Sequence, residues 1–356
     1  MYILLTSVSL FNNQLGSWTT EFQKFIRRNP GFFTYILSPD TKGNGVLTSV
    51  KKKFLTRRFF KAKQLTALVA RDYIRHLTEI KSKHPDEPLK TVIIDDFSLV
   101  KAIALWKKVN RVNNLSVVYF FHGHLLTGDP AIFPYTDKVL FLTEAGYLDT
   151  LHHHFSFPPE VEVVGNGVDS EIFYPLSPEE KKKKRQQLNL PVRKKVITWL
   201  ANDRPSKGLH IFEKIIPQLN RLYDDLHFVI IGSRRNISLP NVTNIGRIPN
   251  QEVASYLQAS DYYFHTALVR EGFGLTLVEA LKTGNIVLAS ALGGIPEVTA
   301  CCPDRTMLID KPNMTGAWIA VFQSVYTKSF TPLSKEEARK IWNYLDWEKR
   351  FIKALQ

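Results

Sequence analysis

The sequence predicts an α/β protein made of two doubly wound parallel sheets, each with helices on both faces. Three observations predict it. Short, continuous apolar runs recur along the whole chain, with helical stretches between them. The runs are rich in β-branched residues and do not alternate with polar ones, which is the pattern of strands buried on both faces. A turn-rich stretch at 167–175, followed by a charged segment at 177–193, divides the 356 residues into two parts of common domain size.

In the first part, strands are expected at 2–8, 33–37, 92–94, 117–121, 139–142 and 161–164. Helices fall at 20–28, 64–81 and 100–109. In the second part, strands are expected at 196–200, 228–231, 242–245, 262–264 and 286–289. Helices lie between them, among them 209–219 and the short stretch that ends at Asp261. A last helix spans 335–356. The expected domains are therefore 1–168 and 169–334, with 335–356 as a closing helix. No internal repeat is detectable, and the lysine run at 181–185 is the one low-complexity tract.

Hydrophobic content of 44% and aromatic content of 12% exclude a disordered chain. No run of about 18 apolar residues occurs, so no membrane-spanning helix is expected. The opening Met1-Tyr2-Ile3-Leu4-Leu5 lacks a basic leader and reads as a first strand. Cys301 and Cys302 are adjacent. Adjacent cysteines seldom pair with each other, so no disulfide framework is implied and a reducing, cytoplasmic compartment fits.

The net charge of +14 attracts a polyanion: nucleic acid, an anionic membrane or phosphorylated ligands. Between Asp40 and Asp72 there is no acid. Lys42, Lys51, Lys52, Lys53, Arg57, Arg58, Lys61, Lys63 and Arg71 all fall there, interleaved with Phe54, Leu55, Phe59 and Phe60. Cations beside aromatic rings suit a membrane surface, where charge meets headgroups and rings enter the interface. The same residues also suit a solvated loop whose aromatics tuck into the core. The run Lys181-Lys182-Lys183-Lys184-Arg185 has no aromatics and reads as a solvated helix face.

The most informative stretch is Glu271-Gly272-Phe273-Gly274-Leu275-Thr276-Leu277-Val278-Glu279. Its glycines allow close backbone approach to a ligand. The helix start behind them offers unpaired N–H groups and a positive dipole end, which suits phosphate. Glu279 lies about two turns further on, so the two carboxylates can grip opposite ends of one elongated ligand. Upstream, Arg204 and Lys207 lie in Arg204-Pro205-Ser206-Lys207-Gly208, between a strand and a helix. Two cations three residues apart can clamp a diphosphate, Arg as a planar fork and Lys as a compact charge.

Together with the strand at 286–289 and Gly293-Gly294-Ile295-Pro296-Glu297, these motifs resemble the C-terminal signature of retaining glycosyltransferases of the GT-B fold, family-4 type. The resemblance is strong from about 164 to 299 and weak before that. It implies two Rossmann-like domains facing a cleft, with the last helix crossing back to the first. It implies a nucleotide diphosphate sugar as donor, no metal, and retention of anomeric configuration. Glu271 would contact the donor sugar, Glu279 the ribose hydroxyls, and Arg204 and Lys207 the diphosphate. Gly272, Phe273, Gly274, Leu275, Ile248 and Gly16 would complete the donor contacts.

A histidine after the strand at 117–121 would lie near the transferred sugar. His122 directly follows that strand and is favoured over His124. Asn166, in Gly165-Asn166-Gly167-Val168-Asp169, would mark the domain junction in a structural role. The chain departs from the family pattern in two places. Gly16-Ser17 stands where two glycines are usual, and residues 265–270 lack the family's Pro-Ser. Asp95 and Asp96 are not spaced as Asp-x-Asp and read as loop or acceptor-side residues. His152-His153-His154 cannot share one face of a helix, so a metal cluster is not expected.

The expected function is sugar transfer to a glycan or lipid-linked acceptor, as in cell-surface glycan or lipopolysaccharide-type synthesis, at the inner face of a membrane. Nucleic acid is not expected as a partner. The alternative is a nucleotide-sugar or nucleic-acid binding protein without transfer. A dinucleotide oxidoreductase would need Gly-x-Gly-x-x-Gly after the first strand, and none is there.

Overall fold

The computed structural model describes residues 1–11, 17–39, 47–49 and 70–356. Gly16, and the basic segment from Lys51 to Lys63, lie outside the described residues. The chain divides into two compact units, 1–164 with 350–356, and 165–349.

The first unit is built on a seven-stranded sheet in the order β3-β2-β1-β4-β5-β6-β7. Its strands are β1 (Tyr2–Thr6), β2 (Tyr35–Ser38), β3 (Leu47–Ser49), β4 (Leu89–Ile94), β5 (Leu115–Phe120), β6 (Lys138–Phe141) and β7 (Glu160–Val163). All pairings are parallel; β1 takes β2 through Leu4↔Ile36 and β4 through Leu4↔Val92. Helices α1 (Ser17–Arg28), α2 (Arg71–Lys83), α3 (Phe97–Asn110) and α4 (Glu144–His153) connect them. Strands β4 and β5 are buried over nearly their whole length because helices cover both faces. The Asp96 carboxylate accepts the Leu99 N–H at 3.1 Å and starts α3. Sequence periodicity does not predict the three-residue β3.

The second unit carries a six-stranded parallel sheet in the order β10-β9-β8-β11-β12-β13. Its strands are β8 (Lys195–Leu200), β9 (Leu226–Ile231), β10 (Val242–Gly246), β11 (Tyr262–His265), β12 (Ile286–Ser290) and β13 (Thr306–Ile309). Its helices are α5 (Pro178–Gln187), α6 (Leu209–Leu222), α7 (Asn250–Ala259), α8 (Leu275–Lys282), α9 (Ile295–Thr299), α10 (Thr315–Tyr326) and α11 (Lys335–Lys340). Relative to its first strand, this is the doubly wound order 3-2-1-4-5-6, which reverses between β8 and β11. The core packs Trp199, Phe212, Phe228, Phe264, Trp318 and Phe322 against the sheet.

Two expectations are corrected here. The end of the chain is not one helix: α11 and α12 (Tyr344–Leu355) are separated by Trp342, which has φ +40°. The lysine run is not a wholly solvated face. A capping box between Ser177 and Glu180 starts α5. Residues one turn apart then turn inward: Lys181 and Arg185 both bind Asp261, at 2.7 and 2.5 Å.

Candidate active site

Several of the predicted donor residues lie where the strand order of the second sheet reverses. Arg204, Lys207 and Gly208 lie in the loop after β8, and Glu271 to Gly274 in the loop after β11. Loops at the carboxyl ends of parallel strands, at such a switch point, form the ligand crevice of doubly wound sheets. The two loops are stitched together through the end of β11. Trp199 Nε1 donates to Thr266 Oγ1 at 2.9 Å, and that hydroxyl lies 2.9 Å from the Gly208 carbonyl and 3.1 Å from that of Lys207. Gly208 has φ +73°, and a Cβ there would stand 1.8 Å from the Thr266 carbonyl oxygen. Only glycine permits this approach.

The second loop is anchored from the far side. Glu271 pairs with Gly293 in a β-bridge, and the Gly294 N–H donates to the Glu271 carbonyl at 2.8 Å. Gly274 has φ +80° and leads into α8, which no side chain caps. The helix start therefore presents backbone N–H groups and its positive dipole end. Phe273 is not a platform for a ligand. Its ring is buried, edge-on to Trp342 at 4.9 Å, so the turn offers backbone here and not the aromatic face.

Lys207 Nζ lies 2.5 Å from Glu271 Oε1 in a partly buried pair. His265 Nε2 is 3.9 Å from the same oxygen. Burial pushes the His265 pKa down, with Lys207 adding to it and Glu271 opposing. Glu279 is 4% exposed and its Oε2 has no hydrogen-bond partner. Burial raises its pKa to about 8. Tyr263 feels both acids. Its hydroxyl donates to Thr276 Oγ1 at 2.8 Å, and burial and then both Glu279 and Glu271 raise its pKa. Arg204 is exposed, and Ile248 is half-buried against the small core cluster that includes Val196, Val229 and Ile231.

In the first unit, His122 and Asp95 follow neighbouring strands, and the His122 N–H donates to Asp95 Oδ1 at 3.3 Å. The His122 ring packs on Phe120 and Trp18, at 4.2 and 5.6 Å. Burial pushes its pKa down to about 3, so the ring is neutral at pH 7. His124 differs: its Nε2 lies 2.8 Å from Asp149 Oδ2. Asp95 has φ +49°, a conformation sparsely populated outside glycine, and burial raises its carboxyl pKa. Of the three consecutive histidines, His154 is buried with its Nε2 2.7 Å from the Leu126 carbonyl.

Residues 180–301 match the model of the family described as glycosyl transferases group 1. That match covers about a third of the chain. Among curated relatives, the chain is 27% identical over 212 residues to the phosphatidylinositol N-acetylglucosaminyltransferase GPI3 subunit of Saccharomyces cerevisiae, covering 55% of this chain and 45% of that protein. It is 31% identical over 151 residues to a phosphatidyl-myo-inositol mannosyltransferase of Propionibacterium freudenreichii, covering 42% of this chain and 37% of that one. The chain spans about half the length of the curated relatives it matches. Its fold is similar to that of sucrose-phosphate synthase from Thermosynechococcus elongatus, with TM-score 0.75 and 15% identity over 99% of this chain and 97% of that one. It is also similar to Anabaena Alr3699/HepE in complex with UDP and glucose, with TM-score 0.74 and 15% identity over 100% and 99% of the two chains. The two parallel sheets are those of the GT-B fold.

Within the second unit, the structure brings Lys207, Glu271 and the Gly272–Gly274 turn together. Glu279 lies near them through Tyr263. His122 and His124 belong to the other unit. Sequence reasoning missed His265, Thr266 and Trp342. The signal for Thr266 was present, because it stands in the stretch 265–270 that departs from the family pattern. Trp342 is separated from Phe273 by so much sequence that no local pattern could link them.

Proposed function

We propose that this chain is a retaining glycosyltransferase that moves a hexosyl group from a nucleotide diphosphate sugar to a lipid-linked acceptor. The observation that carries the reading is the Lys207–Glu271 pair beside the start of α8, with the orphaned, buried Glu279 carboxyl further along that helix. The names of the relatives support a phosphorylated-lipid acceptor, and the UDP in the Anabaena protein supports a nucleotide donor.

In this reading, the diphosphate meets Lys207, Arg204 and the N–H groups at the start of α8. Lys207 exchanges its Glu271 partner for phosphate oxygens, which frees Glu271 to accept hydrogen bonds from donor-sugar hydroxyls. The ribose diol donates to Glu279. The glycosidic bond breaks with its electron pair going to the diphosphate, whose growing charge these groups stabilise. The acceptor oxygen bonds to the same face of the sugar and its proton passes to the departing phosphate oxygen. Because cationic side chains already meet the diphosphate, transfer is expected to survive a chelator.

The test is Lys207→Ala in binding and transfer assays with UDP- and GDP-sugars. Loss of a charge-assisted phosphate contact of about 1.5–3 kcal/mol should weaken donor binding by roughly 10- to 100-fold and reduce transfer at least as much. Full activity in this variant would overturn the assignment. Donor binding without turnover on any acceptor would favour the binding-protein alternative.

A further inference from the structure

Cys301 and Cys302 are the only thiols of the chain, and the donor-site reading does not use them. They directly follow α9, in a turn where the Cys302 N–H donates to the Thr299 carbonyl at 2.9 Å. Cys301 is exposed, Cys302 is half-buried, and neither is in a disulfide. Both line a cavity of 830 Å³ with Arg305, Lys328 and Lys340 among its other walls. Their sulfurs lie 3.7 Å apart, on one side of the turn. Two thiolates held about 2.3 Å from one tetrahedral soft ion are separated by about 3.8 Å. The pair is therefore spaced for chelation.

We propose that Cys301 and Cys302 form a bidentate site for one soft, thiol-seeking centre, and that its capture is felt at the Gly272–Gly274 turn. The Cys301 thiol is held below its usual pKa by the hydrogen bond with Cys302, and Cys302 is pushed up by the same bond. With a trivalent arsenical, two As–S bonds form and the As=O bond breaks. The oxygen leaves as water with both thiol protons, and no atom changes oxidation state.

The route to the turn is short. The Cys301 thiol donates to the Val298 carbonyl at 3.5 Å, and Trp342 Nε1 donates to the same carbonyl at 2.8 Å. Trp342 holds a left-handed backbone, which a bulky residue keeps only when its surroundings enforce it. Its ring packs on Phe273. At its other end, α9 follows Gly294, whose N–H binds the Glu271 carbonyl. Capture removes the Cys301 proton, leaves Trp342 as the sole donor of this pair at Val298, and shifts the end of α9.

Phenylarsine oxide added to the full chain tests the site. The expected result is one adduct per chain by intact mass and loss of both thiols in a thiol count. Reversal should follow from 2,3-dimercaptopropanol but not from an equal dose of a monothiol. Cys301→Ser and Cys302→Ser should each bind at least about 100-fold more weakly, because the second bond is intramolecular. A one-thiol adduct, or equal binding by the serine variants, overturns the site. The coupling rests on the donor-site reading: the adduct should weaken UDP or GDP binding by about fivefold in wild type and leave it unchanged in Cys301→Ser. A stoichiometric adduct with unchanged nucleotide affinity overturns the coupling. Failure of the untreated protein to bind either nucleotide would instead overturn the donor-site reading.

Discussion

Glu279 shows what a single buried carboxyl can reveal. Folded, it keeps its proton up to about pH 8, whereas its ordinary value is 4.5. Between those values the unfolded chain releases a proton that the folded chain holds. Stability from this group is therefore complete below the unfolded value and is lost as pH rises through the window to about 8. Glu279→Gln removes the dependence. Its melting temperature should match wild type near pH 4 and exceed it by roughly several degrees at pH 8.5; a difference that is flat across pH would refute the buried, protonated state. Hydroxyl donors favour the ionised carboxylate, so nucleotide affinity of the wild type should rise as pH climbs toward 8. Glu271 and Glu279 were both legible from their spacing around a Gly-Phe-Gly turn. The burial of Glu279, and the closure of Glu271 onto Lys207, were not, because both depend on side chains distant in sequence.

The two loops at the switch point work as a joined pair. The Gly208 position is fixed by a strand from another part of the chain, with Thr266 reaching back to it. Gly208→Ala would place its Cβ 1.8 Å from the Thr266 carbonyl in a left-handed backbone. The loop must then move, and Lys207 with it. Nucleotide affinity is expected to fall at least about tenfold, with a stability loss of about 1–3 kcal/mol. Isothermal titration with UDP and GDP, beside a denaturant melt, measures both. Wild-type affinity in this variant would mean that the loop does not position Lys207. The other strands of both sheets were legible because parallel strands read as continuous apolar runs. The short β3, the partly exposed edge strand β13 and the break at Trp342 were hidden. Three residues are too few for a period, and a left-handed tryptophan is enforced by tertiary contacts.

At the scale of the whole molecule, a charge of +14 calls for an anionic partner. Within α5 the cations are partly spent on Asp261, and a cavity of 530 Å³ lined by Lys181, Arg185 and Lys328 lies at the amino ends of the second sheet's strands, away from the donor loops. The segment from Lys51 to Lys63 belongs to the first part of the chain, where the family resemblance is weak. We expect it to dock on anionic membranes, each basic group contributing about 1 kcal/mol near the surface. Among the described residues no helix is long and apolar enough to cross a membrane. In co-sedimentation, wild type should pellet with anionic vesicles and not with neutral ones. The variant with Lys51, Lys52 and Lys53 changed to Glu should stay in the supernatant. Equal pelleting of the two proteins would remove this segment from docking.

The sequence by itself determined the fold class and singled out Arg204, Lys207, Glu271 and Glu279 as candidates. All of these are local signals: apolar runs, a glycine turn and fixed spacings. Only the tertiary structure decided that Lys207 rests on Glu271, that Phe273 faces Trp342 and not a ligand, and that His124 is bound to Asp149 while His122 is not. Each of those is a contact between residues far apart in the chain, and such contacts are chosen by how the sheet orders its strands, which no short window of sequence contains.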